Sequence, residues 1–135
     1  MKTREDIESF LIQLNEDYEE ADSGTWVVRS PDSQTAVAVQ YEPPLIVLQL
    51  KFMELPAERD DARFGAFYRR LLELNATEIV HGSYGIEGDE VVISDALELE
   101  TLDFHELRSS YESMMLAASS HPGILAELVP IAHEA

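Results

Sequence analysis

His81-Gly82-Ser83-Tyr84-Gly85 is the stretch of this chain nearest to a catalytic motif, because a serine among small residues beside a histidine is the raw material of acyl transfer. The spacing works against it. A nucleophile elbow needs glycine two positions before the serine, where this chain has His81, and it sits between a strand and a helix. Here the stretch lies in a strand-like run, so His81 and Ser83 share one sheet face about 7 Å apart, too far for direct proton transfer. The other histidines, His105, His121 and His133, make no His-x-x-x-His or His-Glu-x-x-His pair, and no metal is expected. His105, beside Glu106, reads as a solvated helix position. His121 and His133 read as helix-end residues whose partly charged imidazole suits the helix dipole.

Phosphate cradles and acid–base pairs are absent by the same kind of test. Gly82, Gly85 and Gly88 recur every third residue, which matches neither the dinucleotide nor the P-loop pattern. Inside strands such glycines mark bulges or twist. Glu16-Asp17, Glu19-Glu20 and Asp60-Asp61 sit among polar neighbours that would not raise a carboxyl pKa. Neither Asp17 to Asp22 nor Glu87 to Glu90 alternates oxygen ligands as a calcium loop does. The chain has no cysteine, which excludes thiolate zinc sites, iron–sulfur clusters, disulfides and thiol nucleophiles. The residues therefore predict no catalytic group, no cofactor and no metal.

Charge narrows the partners. Asp and Glu number 27 against 9 Lys and Arg, a formal net charge of −18. A nucleic-acid binder needs a basic stripe, and the nearest approach here is Arg69-Arg70 with Arg63. An anionic membrane surface is repelled for the same reason. Such acidity serves solubility or a partner surface that is itself basic. No apolar run nears the roughly 20 residues of a membrane span. The charged start, Met1 to Asp6, lacks the pattern of a signal peptide, so a cytoplasmic protein is expected. With 135 residues and 45% hydrophobic composition the chain suits one domain over residues 1–135.

The elements that would position any site follow from periodicity. Thr3 and Asp6 resemble a capping pair for an amphipathic helix from Arg4 to Glu20, with Ile7, Phe10, Leu11, Leu14 and Tyr18 on its apolar face and Ala21 to Gly24 as its stop. Period two then predicts strands over Thr25 to Ser30 and Thr35 to Tyr41, joined by a turn at Pro31-Asp32-Ser33. After Glu42-Pro43-Pro44 a third strand runs from Leu45 to Phe52. Its stronger apolar row, Ile46, Leu48, Leu50 and Phe52, should meet the helices, and apolar residues on both sides make it central.

A second helix, capped by Asp60 or Asp61, spans Phe64 to Asn75. Strands over Glu78 to Ile86 and Val91 to Leu99 turn at Glu87-Gly88-Asp89-Glu90. Asp103 with Glu106 starts a third helix carrying Phe104, Leu107, Tyr111, Met114, Met115 and Ala118, which Pro122-Gly123 ends. The tail from Ile124 to Val129 suits a short packed turn. The fold class is α+β: helix, three strands, helix, two strands, helix, with an antiparallel five-stranded sheet and helices packed on it.

This order, with small size and acidity, resembles the type III secretion chaperone fold and, more narrowly, the YbjN-like family of bacterial proteins. Three stretches carry the resemblance: Gly24-Thr25-Trp26-Val27-Val28-Arg29-Ser30-Pro31, Tyr84-Gly85-Ile86-Glu87-Gly88-Asp89-Glu90-Val91 and Ala96-Leu97-Glu98-Leu99-Glu100-Thr101-Leu102-Asp103. The likeness runs from about Arg4 to Ala118. It implies a non-enzymatic homodimer that binds other proteins. In secretion chaperones the client is an extended effector segment, whereas the YbjN-like branch comprises candidate sensory transduction regulators. Nothing in the residues points to a secretion system, so a chaperone-like adaptor for a regulatory or signalling protein is preferred over a dedicated effector chaperone. The competing classes are a hydrolase with an unrecognised site around His81 and Ser83, and a structural or cation-buffering acidic protein.

Two surfaces are singled out. Phe64, Phe67 and Tyr68, with Leu71 and Leu72, give the second helix more apolar surface than one contact stripe needs, which marks either a dimer interface or core packing. Leu45 and Val47 point away from the helices beside Gln49 and Lys51, where they either rim a dimer contact or hold a protein client. A client strand added to a sheet edge is the other mode of binding.

Overall fold

Thr3 starts the first helix as its spacing predicts: its hydroxyl accepts from the Asp6 N–H at 3.2 Å while the Asp6 carboxylate accepts from the Thr3 N–H at 2.8 Å. The computed structural model describes residues 1–31 and 35–130. Its elements are α1 (Arg4–Leu14), β1 (Asp17–Asp22), β2 (Thr25–Arg29), β3 (Ala36–Glu42), β4 (Leu45–Glu54), α2 (Gly65–Thr77), β5 (Ser83–Glu87), β6 (Glu90–Glu98), α3 (Phe104–Ser120) and α4 (Pro122–Ala126). Asp32 and Ser33 of the expected turn lie outside the described residues.

The main departure from the expected order is at α1, which ends at Leu14 rather than Glu20, and the sheet has six strands instead of five. Asn15 adopts the left-handed conformation with φ of 61° and its N–H donates to the Ile12 carbonyl, a helix-ending geometry that Asn tolerates. The next residues are Glu16, Asp17, Glu19, Glu20 and Asp22, and negative charge at a helix C-terminus opposes the helix dipole. As strand β1 the carboxylates from Asp17 to Asp22 stand in solvent instead. Ser23-Gly24 closes the hairpin to β2, with Gly24 at φ of 80° and its N–H held by the Glu20 carboxylate.

The sheet is antiparallel throughout, in the order β1-β2-β3-β4-β6-β5. Its register lines up two different faces. Val28, Val37, Leu50, Ile93 and Tyr84 are successive cross-strand partners, and all are buried. This is the face the helices cover: α3 packs on β4 and β6, α1 lies against α3, and α2 meets β5. Ile46, Leu48 and Leu50 of β4 belong to it as their alternation predicts. Phe52 falls where the β4–β6 register shifts, between Lys51 and Met53, and its ring meets Tyr84 edge-on at 5.3 Å.

The later elements follow their signals closely. Asp103 and Glu106 cap α3 reciprocally at 3.2 and 2.8 Å. Leu107, Tyr111 and Met114 of α3 are buried, and Pro122, rather than only ending α3, opens the short α4, whose Leu125 is buried. The β5 strand begins at Ser83 rather than Glu78, because Gly82 at φ of 89° turns the chain into the sheet. A Cβ at Gly82 would stand 3.1 Å from the Ser94 carbonyl oxygen. Asp60 caps the turn before α2 through the Ala62 N–H at 3.0 Å, and α2 itself starts at Gly65 with no side-chain cap. No described helix is long and apolar enough to cross a membrane.

Candidate protein-binding surfaces

His81 and Ser83 do not share a strand. Ser83 opens β5 opposite Ser94, whereas His81 lies in the preceding loop, its N–H and carbonyl both bonded to the Ser113 hydroxyl at 3.1 and 3.0 Å. His105 is exposed on α3, as expected, with Nδ1 3.0 Å from the Arg108 guanidinium. His133 lies outside the described residues. Among those described, no three His, Asp or Glu side chains are grouped to hold a metal.

His121 departs from the expected solvated helix-end cation. It joins α3 to α4, is 7% exposed, and its Nδ1 is 2.6 Å from the Tyr84 hydroxyl. Burial raises the Tyr84 pKa, so the phenol keeps its proton and shares a hydrogen bond with the imidazole, the donor being set by the ring tautomer. Burial also lowers the His121 pKa, with Glu78 opposing and Arg70 adding to the shift. The folded-state pKa is therefore below the unfolded value of about 6.5. Stability from the neutral ring is fully present above that pH and is lost as pH falls through the lowered value. In thermal melts taken from about pH 7.5 down to 5, His121→Asn, whose Oδ1 can accept the Tyr84 bond, should remove part of the wild-type decline. Parallel declines in the two proteins would assign the titration to another group.

At the β5 end of the sheet, α2 closes the edge. Asn75 reproduces a neighbouring strand: its Oδ1 accepts from the Tyr84 N–H at 2.6 Å and its Nδ2 donates to the Tyr84 carbonyl at 3.2 Å. Phe64 and Phe67 turn inward with Leu71 and Leu74 and are buried, so these rings pack the core of the chain itself. Their inward turn follows from the 3.6-residue period, which puts Phe67, Leu71 and Leu74 on one stripe. Tyr68 is half-buried, and its hydroxyl donates to the Asp61 carboxylate at 2.6 Å. Arg59 joins the same carboxylate at 3.0 Å and Asp89 of the β5–β6 turn at 2.7 Å, fastening the loop before α2 to that turn. What α2 leaves outside is Leu72, 68% exposed, beside Ile86 of β5, 44% exposed; with Tyr68 and Gly85 they line a shallow apolar recess of about 220 Å³.

The face opposite the helices is the second surface. Val27, Ala38, Gln49 and Ser94 form one cross-strand row, and Thr25, Gln40, Val47 and Ala96 form the next, with Leu45 between Glu42 and Glu98. Every one of these side chains is half-exposed or exposed. Leu45 and Val47 thus sit where their alternation predicts, in the middle of a face that mixes small apolar groups with amides and hydroxyls. At the far edge, β1 exposes five of its six residues.

Residues 1–130 match the CesT_Tir_1 family. No curated protein sequence matches the chain. Among solved structures, a chain of the heterodimeric ExoU–SpcU complex from the type III secretion system of Pseudomonas aeruginosa is similar at 12% identity and a TM-score of 0.66, covering 91% of this chain and 97% of that one. YbjN from E. coli is similar at 13% identity and a TM-score of 0.63, covering 91% and 93%. A chain of the HopA1–SchA chaperone–effector complex is similar at 16% identity and a TM-score of 0.54, covering 82% and 85%. At these identities the likeness is one of fold, and it agrees with the resemblance to secretion chaperones and YbjN.

Proposed function

Because the chain belongs to the CesT_Tir_1 family of type III secretion chaperones, we propose that it is a non-enzymatic, homodimeric chaperone-like adaptor that holds an extended segment of a regulatory or signalling protein. The observation that carries this reading is the uncovered sheet face around Leu45 and Val47. One helical layer covers only one side of a sheet, and an accessible face of alternating apolar and hydrogen-bonding groups suits an extended segment of mixed composition. The dimer is assigned to the α2–β5 end, where Tyr68, Leu72 and Ile86 leave apolar surface outside the core. A dedicated effector chaperone is the second reading, favoured by the ExoU–SpcU and HopA1–SchA complexes among the similar structures.

The test is capture of the client from an extract of the protein's own cells. Leu45→Ser with Val47→Ser should lower the amount of client retained by about tenfold while leaving the thermal midpoint and the mass in solution unchanged. Undiminished capture by the folded double variant would move the client to another surface. The identity of the client separates the two readings: a signalling protein supports the adaptor, a secreted effector the dedicated chaperone. With a net charge of −18, a basic client should also associate faster at low salt, since screening sets in beyond about 8 Å at physiological ionic strength.

A further inference from the structure

The charges on the uncovered sheet face stand in two kinds of setting. Lys51 is held by Glu54 at 2.8 Å and Glu90 at 3.4 Å, and Arg29 by Glu19 at 3.5 Å. Glu42 and Glu98, by contrast, have no ion pair and no side-chain hydrogen bond among the described residues. Both are exposed, and the register sets them directly opposite the half-buried Leu45, one on β3 and one on β6. Neighbouring strands lie about 4.8 Å apart, so the two glutamate backbones stand about 10 Å apart with Leu45 midway. The cations nearest this end of the sheet serve elsewhere: the Met1 ammonium is 3.5 Å from Glu100, and Lys2, whose carbonyl accepts from the Tyr41 hydroxyl, makes no ion pair with either glutamate. The backbone beneath is fixed, because the Leu99 N–H donates to the Pro44 carbonyl at 3.0 Å and ties the β3–β4 turn to the end of β6.

We infer that the extended client segment seats a lysine or arginine at this end of the face, with its methylenes on Leu45 and its charged head between Glu42 and Glu98. The chemistry is selective by elimination. A long cationic side chain covers the apolar surface with its stem and brings only donors to the two carboxylates. An anionic head would meet two like charges, and an apolar side chain would leave both carboxylates without a cation. Alternate residues of an extended chain lie about 7 Å apart, the spacing of Leu45, Val47 and Gln49 along β4. The client residue two positions from the cation therefore falls over Val47, Gln40 and Ala96, and the next over Gln49, Ala38 and Ser94, where small apolar and neutral hydrogen-bonding side chains fit. The net charge of −18 speeds the approach of such a segment without choosing where it lands. The inference rests on the protein-binding reading above and adds the chemical class and place of one recognised side chain.

The experiment uses three acetylated, amidated pentapeptides that share threonine, alanine, threonine and glutamine after a first residue of lysine, norleucine or glutamate. Each is titrated into the full chain while the Leu45 and Val47 methyl resonances are followed. The lysine peptide should shift both and bind about fivefold more tightly than the norleucine peptide, with glutamate weakest. Glu42→Gln with Glu98→Gln should remove the lysine preference. Glu5→Gln with Glu8→Gln, the same change in charge on α1 across the sheet, should leave it. Both double variants should fold, since Glu42 and Glu98 have no partner to lose and Glu5 and Glu8 are exposed. Equal binding of lysine and norleucine, a preference that survives in the Glu42 and Glu98 variant, or one lost equally in the α1 variant would overturn the assignment. So would unmoved Leu45 and Val47 methyls, or a solution mass that falls in Leu45→Ser with Val47→Ser, which would give the face to a second copy. Client capture weakened by that serine variant but not by the Glu42 and Glu98 variant would overturn this inference alone and leave the chaperone reading standing.

Discussion

Phe67→Ala should lower the unfolding free energy by about 3–5 kcal/mol. The Phe67 ring is fully buried and meets Phe64 edge-on at 6.0 Å and Tyr68 at 6.1 Å, within the core that also holds Leu71 and Leu74. Truncation removes the transfer free energy of the ring and leaves a cavity that the neighbouring helix and sheet only partly collapse around. In urea the midpoint should fall with little change in slope. The difference from the wild type should be the same at low and high protein concentration, because the lost contacts lie within one subunit. A difference below about 1 kcal/mol, or one that shrinks on dilution, would move the ring from the core to the subunit contact.

Leu72→Glu should have the opposite profile. Leu72 stands on the outer side of the same helix, next to the exposed Ile86 of β5. A carboxylate placed in a two-fold contact meets its symmetry mate and must shed water without a cationic partner. Light scattering at micromolar concentration should return the mass of one chain for the variant and of two for the wild type. Denaturation of the isolated subunit should change by no more than about 0.5 kcal/mol, as for surface positions generally. An unchanged dimer mass would exclude the α2–β5 recess as the contact. The two variants lie five positions apart on one helix, so together they separate what α2 does for its own core from what it offers a second copy.

Local signals carried much of this architecture. Thr3 with Asp6 and Asp103 with Glu106 announce their helices because a capping box needs only neighbouring residues. The run from Leu45 to Lys51, with one row wholly apolar and the other ending in Gln49 and Lys51, announces both a strand and which side is covered. The first helix was harder to bound: Tyr18 falls four residues after Leu14, so a helical face continues on paper through residues that the structure pairs with β2. What decides there is the conformation of Asn15 and the availability of β2 as a partner, and neither is a property of the local pattern. The candidate sites depend still more on distant contacts. His121 has its pKa lowered by burial and meets Tyr84, 37 positions away in sequence, only in the folded chain. Asn75 gains its role only when β5 arrives beside α2. A polar residue four positions after Leu71, on a stripe otherwise apolar, was the one signal available for it. Glu42 and Glu98 come to flank Leu45 only once β3 and β6 have paired with β4.

The Asn75 clamp has a consequence for how copies of this protein behave when crowded. Strand pairing between molecules becomes a polymerisation only if each molecule has two free ends, one to accept and one to pass on the ladder. With the Tyr84 backbone already bonded to the Asn75 amide, β1 is the more open border, and two copies whose strands pair through β1 leave no second border of that kind for the ladder. The acidic residues of β1 discourage even that pairing by like-charge repulsion. Such a sheet can accept a visiting strand at its β1 border while the Asn75 amide competes with one at the other.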